Sequence, residues 1–218
     1  MSHIVIVGAS GHGKVVADAA LGSGHSVVGF LDRDESKKSW CDLPVLGDEE
    51  QVEDILRDAP DTKVVVAIGD NAIRARVVAR LRDRYSGLVF ETVIHSAAVV
   101  GRHVTIGPGT VVLGGAVLNP SSSIGSHCIV NTGALVDHDC SIGDFSTVGP
   151  GACLGGNVSL GRGSVVGLGA AVIHGVSIGK HTVLGAGSLA LESLPPGVVA
   201  FGTPAQTIRS RSEDDPYL

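Results

Sequence analysis

The chain has 218 residues, of which 44% are hydrophobic and 17% charged, with 31 glycines and a formal net charge of −6. That length suits one medium domain or two small ones, and an acidic chain without a basic cluster lacks the electrostatic footprint of a nucleic-acid binder. No apolar stretch reaches the roughly eighteen residues that span a bilayer, and the opening MSHIVIVG runs straight into a strand and not a secretory leader, so the expectation is a cytoplasmic protein with no membrane partner.

Residues 1–93 alternate apolar runs with helical stretches. His3 to Val7 reads as a buried strand, and the turn Gly8-Ala9-Ser10-Gly11-His12-Gly13-Lys14 leads into an apolar helix that ends near Gly22 to Gly24. A second strand, Val27 to Leu31, ends on Asp32. After an irregular piece from Arg33 to Gly47 come a helix around Asp48 to Asp58, a strand Val64 to Ile68, a helix Asn71 to Arg84 and a short strand near Val89 to Val93. This order predicts a small Rossmann-like parallel sheet, whose ligands bind beyond the carboxyl ends of the strands.

Three polar turns fall at those ends. The first offers backbone N–H groups and a helix N-terminus to a phosphate, with Lys14 as counter-charge. Its glycines, at positions 8, 11 and 13, match neither dinucleotide nor P-loop spacing, and a purely structural tight turn stands beside the binding reading. Asp32 suits a hydrogen bond from a ribose or base, or is a plain strand-end residue. Gly69-Asp70-Asn71, with Arg74 one helical turn on, reaches the same ligand, while Asp70 reads equally well as a helix N-cap. The basic run from Arg74 to Arg84 fits the solvated face of a helix.

From Ile94 to Leu189 an aliphatic residue occupies every sixth position through sixteen hexapeptides, and glycine follows it in ten of them. Four residues after each aliphatic stands a small or β-branched residue. Neither a 3.6-residue period nor simple alternation produces this; it describes a parallel β-helix with three short strands per coil. Position n then stacks on n+18, and the 96 residues make about 5.3 coils at roughly 4.8 Å per coil. Cys41, Cys128, Cys140 and Cys153 show no metal or disulfide spacing. Cys128 and Cys140 occupy the small inward position, on different faces of the prism, as buried apolar thiols.

The clearest polar break in the repeat is Asn131 to Asp139, NTGALVDHD. An imidazole beside a carboxylate, as in His138-Asp139, suits general base work, and a bare corner histidine is the competing reading. Eighteen-residue counting stacks Arg102 and Pro120 on one side of His138 and Gly156 and His174 on the other, which puts His174 about 10 Å away, out of contact. His103, His127 and His181 fall on corners and read as surface residues. No histidine pair within one chain meets the spacing of a zinc site.

On the segments IVIVGASGHGKVV, FLDRD, IGDNAIR, NTGALVDHDCSIGDFSTVGPGA and FGTPA, the chain resembles the hexapeptide-repeat acyltransferases that acetylate nucleotide-linked 4-amino sugars, of the bacillosamine and perosamine N-acetyltransferase type. The tail at 209–218, RSRSEDDPYL, is charged and reads as poorly ordered. The resemblance implies an α/β nucleotide-sugar-binding domain at 1–93 and an all-β left-handed parallel β-helix at 94–208 closed by the loop Pro195 to Ala205. It implies a homotrimer with active sites between subunits, acetyl-CoA as co-substrate and no metal. By that analogy His138 is the general base, Asp139 orients it, and Asn131 lies near the reacting amine. Gly8, Ser10, Gly11, His12, Gly13, Lys14, Asp32, Asn71 and Arg74 grip the nucleotide-sugar. Thr147, where relatives carry a histidine, and Gly167, Leu168, Gly185 and Ala186 line the cofactor path. The N–H of Gly155 or Gly156 is the expected oxyanion donor. GDP, UDP and dTDP all remain as carriers. The alternatives are O-acetylation of a sugar of the sialic acid type, a zinc hydro-lyase of the γ-carbonic anhydrase type, and a non-catalytic sugar-nucleotide binder.

Overall fold

The computed structural model describes residues 2–34 and 36–215. Its N-terminal part is built from β1 (His3–Val7), α1 (Gly11–Gly22), β2 (Ser26–Leu31), the small antiparallel pair β3 (Ser39–Trp40) and β4 (Leu43–Pro44), α2 (Val52–Asp58), β5 (Lys63–Val66) and α3 (Asn71–Arg84). The sheet is parallel in the order β2-β1-β5, with the central β1 wholly apolar from Ile4 to Val7. The strand expected at Val89 to Val93 is divided. Phe90 bridges to Val64 of the sheet, whereas Val93 and Ile94 pair with Val111 and Val112 of the first coil. One segment thus belongs to both domains, because its apolar residues are buried alternately by each.

The coils follow the eighteen-residue rule, as in Val117↔Leu135↔Cys153↔Ala171↔Leu189. The every-sixth aliphatics and the small residues four positions later form one continuous core, each inward Val, Leu or Ile contributing about 2 kcal/mol of burial. Inward hydroxyls are satisfied by a repeated bond. Thr110, Ser122, Ser146, Ser164 and Thr182 donate at 2.6–2.8 Å to the corner carbonyls of Gly125, Asp137, Gly161, Gly179 and Pro195. The buried thiols of Cys128 and Cys140 take the same slot, at 3.2 Å from the carbonyls of Gly143 and Gly155; burial pushes the Cys128 thiol up to about 11.

The three faces of the prism differ in their outward residues. One carries Thr105, Ser123, Ser141, Ser159 and Ser177. A second carries Val93, Val111, Ile129, Thr147, Val165 and Val183, all buried, the lower three packed into the same cluster as α1 and the sheet. The third carries Val99, Val117, Leu135, Cys153, Ala171 and Leu189, and here Val99 is 58% and Leu135 44% exposed.

The column continues past the repeat. Val198–Gly202 stacks on Val183–Leu184 with a step of sixteen residues, and Ala205–Ser210 turns back to pair antiparallel with it. Of the tail read from the sequence as poorly ordered, Arg209 and Ser210 fall in this strand, and side-chain contacts reach as far as Asp215. Val199 pairs with Arg209, Arg211 donates to the carbonyl of His181 at 2.7 Å, and Asp214 meets Arg76 at 3.2 Å. The hairpin supplies these residues with partners that the repeat pattern does not reveal. Residues 216–218 lie outside the described residues.

Candidate active site

The predicted residues fall into four places. The first is a cavity of about 250 Å³ at the carboxyl ends of β1, β2 and β5, lined by Gly8, Ser10, Asp32, Arg33, Glu49, Ile68 and Arg80 among others. Gly8 turns with φ 109°, and a side chain at Gly13 would collide with its carbonyl, so the turn is tight for steric reasons. Ser10 is the N-cap of α1 and leaves its hydroxyl unused for capping. Burial acts to raise the Asp32 carboxyl, but hydrogen bonds from the N–H groups of Asp34 (2.9 Å) and Ala9 (2.7 Å) and from Lys37 (2.9 Å) outweigh it and hold it below its ordinary range. Gly11 and Lys14 are exposed on the first turn of α1.

The second place is the seam between the domains, and it takes two of the expected nucleotide ligands out of the cavity. Arg74 is 1% exposed. Its guanidinium donates to the carbonyls of His127, Ile68, Gly69 and Phe145 and to Oδ1 of Asn71, at 2.6–3.0 Å. Asn71 donates in turn to the carbonyls of Gly163 and Ser164 and accepts the Thr147 hydroxyl at 2.7 Å. Arg74 and Asn71 clamp the helix to the β-helix, and the Thr147 hydroxyl is engaged by that clamp. His127, expected at the surface, is 1% exposed. It stacks on Phe145 at 5.1 Å, meets Phe90 edge-on at 4.7 Å and accepts from Arg82. Burial, then Arg82 and Arg74, push its pKa down to about 4.

The third place is a groove of about 480 Å³ along one corner of the prism. Its floor is the stack Asn131, Gly149, Gly167 and Gly185, with Leu168 and Ala186 on the rim, Thr147 on the wall and Phe201 packed over Gly185. His12 closes the lower end. Its Nε2 is buried without a partner, and burial, then Arg74, push its pKa down to about 4. Phe201 lies beyond the last hexapeptide and opens the FGTPA segment of the closing loop Pro195 to Ala205.

The fourth is an exposed ridge on the next corner. Nδ1 of His138 lies 2.7 Å from Oδ2 of Asp139, and this hydrogen bond raises the His138 pKa above its ordinary value. Asp137 accepts from Asn119 and from the His138 N–H, both at 2.8 Å; the ladder to Asn119 spans eighteen residues and so was available to the same counting rule. His174 is nearer than stacking distance implied, with its ring centroid 6.3 Å from that of His138. The residue between them is Gly156, and the His138 ring leans into the space its missing side chain leaves. The Gly155 N–H bonds to Val172 at 2.9 Å, whereas the Gly156 N–H makes no backbone hydrogen bond among the described residues. Among those residues no group of three His, Cys, Asp or Glu is placed to hold a metal, and no helix is long and apolar enough to cross a membrane.

Groove and ridge are the two corners that border the exposed apolar face. This architecture is shared with solved enzymes. PerB from Caulobacter crescentus, in complex with CoA and GDP-perosamine, superposes with a TM-score of 0.89 at 37% identity, covering 96% of this chain and 98% of PerB. The chain belongs to the CoA-dependent sugar N-acetyltransferases. Other members agree with that placement. The acetyltransferase domain of PglB from Neisseria gonorrhoeae FA1090 matches with a TM-score of 0.86 at 34% identity over 95% of this chain and 100% of that domain, and it has also been solved with acetyl coenzyme A. Residues 3–81 match the family described as the PglD N-terminal domain. The UDP-N-acetylbacillosamine N-acetyltransferase of Bacillus subtilis is 37% identical over 118 residues, and the chain spans about half the length of that curated relative, 52%.

Proposed function

We propose that the chain transfers the acetyl group of acetyl-CoA to the 4-amino group of a nucleotide-linked 4-amino-4,6-dideoxyhexose, with His138 as general base. The observation that carries this reading is the His138–Asp139 pair, 2.7 Å apart on an exposed corner. With Nδ1–H donated to the carboxylate, Nε2 is the basic nitrogen, and it is the one that faces the gap over Gly156. The attacking amine loses its proton to Nε2 as the new N–C bond forms and the C–S bond breaks. The Gly156 N–H, unused by the backbone ladder, is positioned to receive the negative charge on the thioester oxygen.

The remaining parts take roles that their positions support. The bare glycine floor of the groove suits the narrow pantetheine arm of acetyl-CoA, with Leu168, Ala186 and Phe201 as apolar walls. The cavity beyond the sheet takes the nucleotide, its phosphates against the Gly8–Lys14 turn and the N-terminus of α1. His12 and Asn131 sit where that turn meets the groove, between nucleotide and cofactor.

Within one chain the groove and the ridge are separated by the apolar face, so neither is a complete site. Packing the Val99–Leu135 faces of copies together covers this apolar surface and brings one copy's ridge toward another's groove, which supports the homotrimer. A cytoplasmic setting is the reading that acetyl-CoA and a nucleotide sugar as substrates support. The test is His138→Ala. Turnover falls by about 10²-fold or more, the usual scale for a general base, while the thermal transition stays within a few degrees because the side chain is exposed. Full activity in that variant overturns the reading.

A further inference from the structure

Among the described residues, His138 and His174 are the two titratable rings outside the domain seam that approach each other. Their centroids are 6.3 Å apart with the planes tilted by 50°, although the residues stand two coils apart. Gly156 lies between them, and a Cβ there would fall 2.5 Å from Cε1 and 2.6 Å from Nε2 of His138. The Cε1–Nε2 edge of His138 therefore points into the notch over Gly156, along the ridge toward His174. Asp139 engages the opposite nitrogen, Nδ1. His174 is exposed. The charged groups acting on His138 are Asp137 and Asp139. Asp137 is held below the usual carboxylate range first by the hydrogen bonds from Asn119 and the His138 N–H and then, more weakly, by His138 and His174 together.

In the acetyl transfer proposed above, one N–C bond forms, one C–S bond breaks, and the proton removed from the amine ends on the thiolate or in solvent. A substrate that arrives as an ammonium ion sheds one proton more. His138 must release each proton it takes up at Nε2 before it acts again, and His174 is the titratable ring in contact with it among the described residues.

We propose that His174 is that exit: a proton accepted at Nε2 of His138 passes along the ridge to His174, whose ring centroid lies 6.3 Å away, and leaves from its exposed ring. His174 acts through His138 and is a positioning residue for the proton, with no contact to the reacting carbon. The inference rests on the acetyl-transfer reading.

The experiment compares the wild type, His174→Gln and His174→Ala with acetyl-CoA and GDP-perosamine or a UDP-linked 4-amino-4,6-dideoxyhexose, in buffers of increasing imidazole concentration. Both variants are expected to lose roughly tenfold in kcat, below the full effect of a general base, with KM for both substrates unchanged. Added imidazole restores the turnover of His174→Ala. An unchanged kcat, a raised KM with kcat kept, or no rescue of His174→Ala by imidazole overturns the inference. A wild type that acetylates none of these amines overturns the acetyl-transfer reading, and this inference with it.

Discussion

The ring of His138 occupies the space above Gly156, so that a Cβ at Gly156 would lie 2.5 Å from its Cε1. Gly156→Ala displaces the far end of an exposed side chain and nothing in the core. The expected outcome is a loss of about 10²-fold or more in turnover, on the scale of a misplaced catalytic group, with a thermal transition close to that of the wild type. Steady-state kinetics and a thermal melt on the same preparation check both halves.

The Asp139 carboxylate raises the His138 pKa above its ordinary value, and with His138 as the proposed general base that pKa sets the acid limb of the rate profile. A general base is active when deprotonated, so kcat/KM falls as pH drops below that raised pKa and is level above it. Asp139→Asn removes the charge that favours the imidazolium. The limb shifts to lower pH, and the plateau drops because the tautomer with a free Nε2 is no longer held. A pH profile with the same limb in both proteins contradicts the assignment.

His127 makes the fold acid-sensitive. Its pKa is pushed down to about 4 in the folded chain against an ordinary value near 6.5, so between these values the unfolded chain binds the extra proton. The corresponding stability is fully present above pH 6.5 and is lost as pH falls toward 4, by about 3 kcal/mol for the full shift. Thermal melts from pH 7 to pH 4 show this slope. In His127→Gln the slope is smaller by that group's share, even though the variant starts from a lower transition temperature.

Arg74 joins α3 to the carbonyls of His127 and Phe145 on the β-helix. Arg74→Ala leaves buried acceptors without donors, at about 1–3 kcal/mol each. For those two carbonyls this is about 2–6 kcal/mol, an expected fall in the melting temperature of roughly 4–24 °C for a chain of this size, and calorimetry shows the single transition broadening as the domains uncouple. Arg74→Lys does not restore it, since an ammonium cannot present the same planar set of donors.

The six-residue spacing made the β-helix legible, and with it the stacking of Val117 on Leu135 and the inward thiols of Cys128 and Cys140. The glycine turn and Asp32 were legible as the carboxyl end of a parallel sheet. The seam was not. Arg74 lies in a basic run that looks solvated, and His127 on a corner that looks exposed; both are buried by the docking of two domains, which no local period encodes. Eighteen-residue counting also misjudged His174, because it measures backbone stacking and takes no account of how far a ring can lean over a glycine. Arg209 and Ser210, at the start of the tail, pair with Val199 and Val198, a contact outside the repeat.

The most direct measurement is CoA release from acetyl-CoA with a panel of acceptors: GDP-, UDP- and dTDP-linked 4-amino-4,6-dideoxyhexoses beside matched sugars bearing a hydroxyl in place of the amine. The account predicts turnover with at least one nucleotide-linked amine, an N-acetyl product, and loss of that turnover in His138→Ala. Release of CoA only with the hydroxyl acceptors, or with none of the panel, contradicts it.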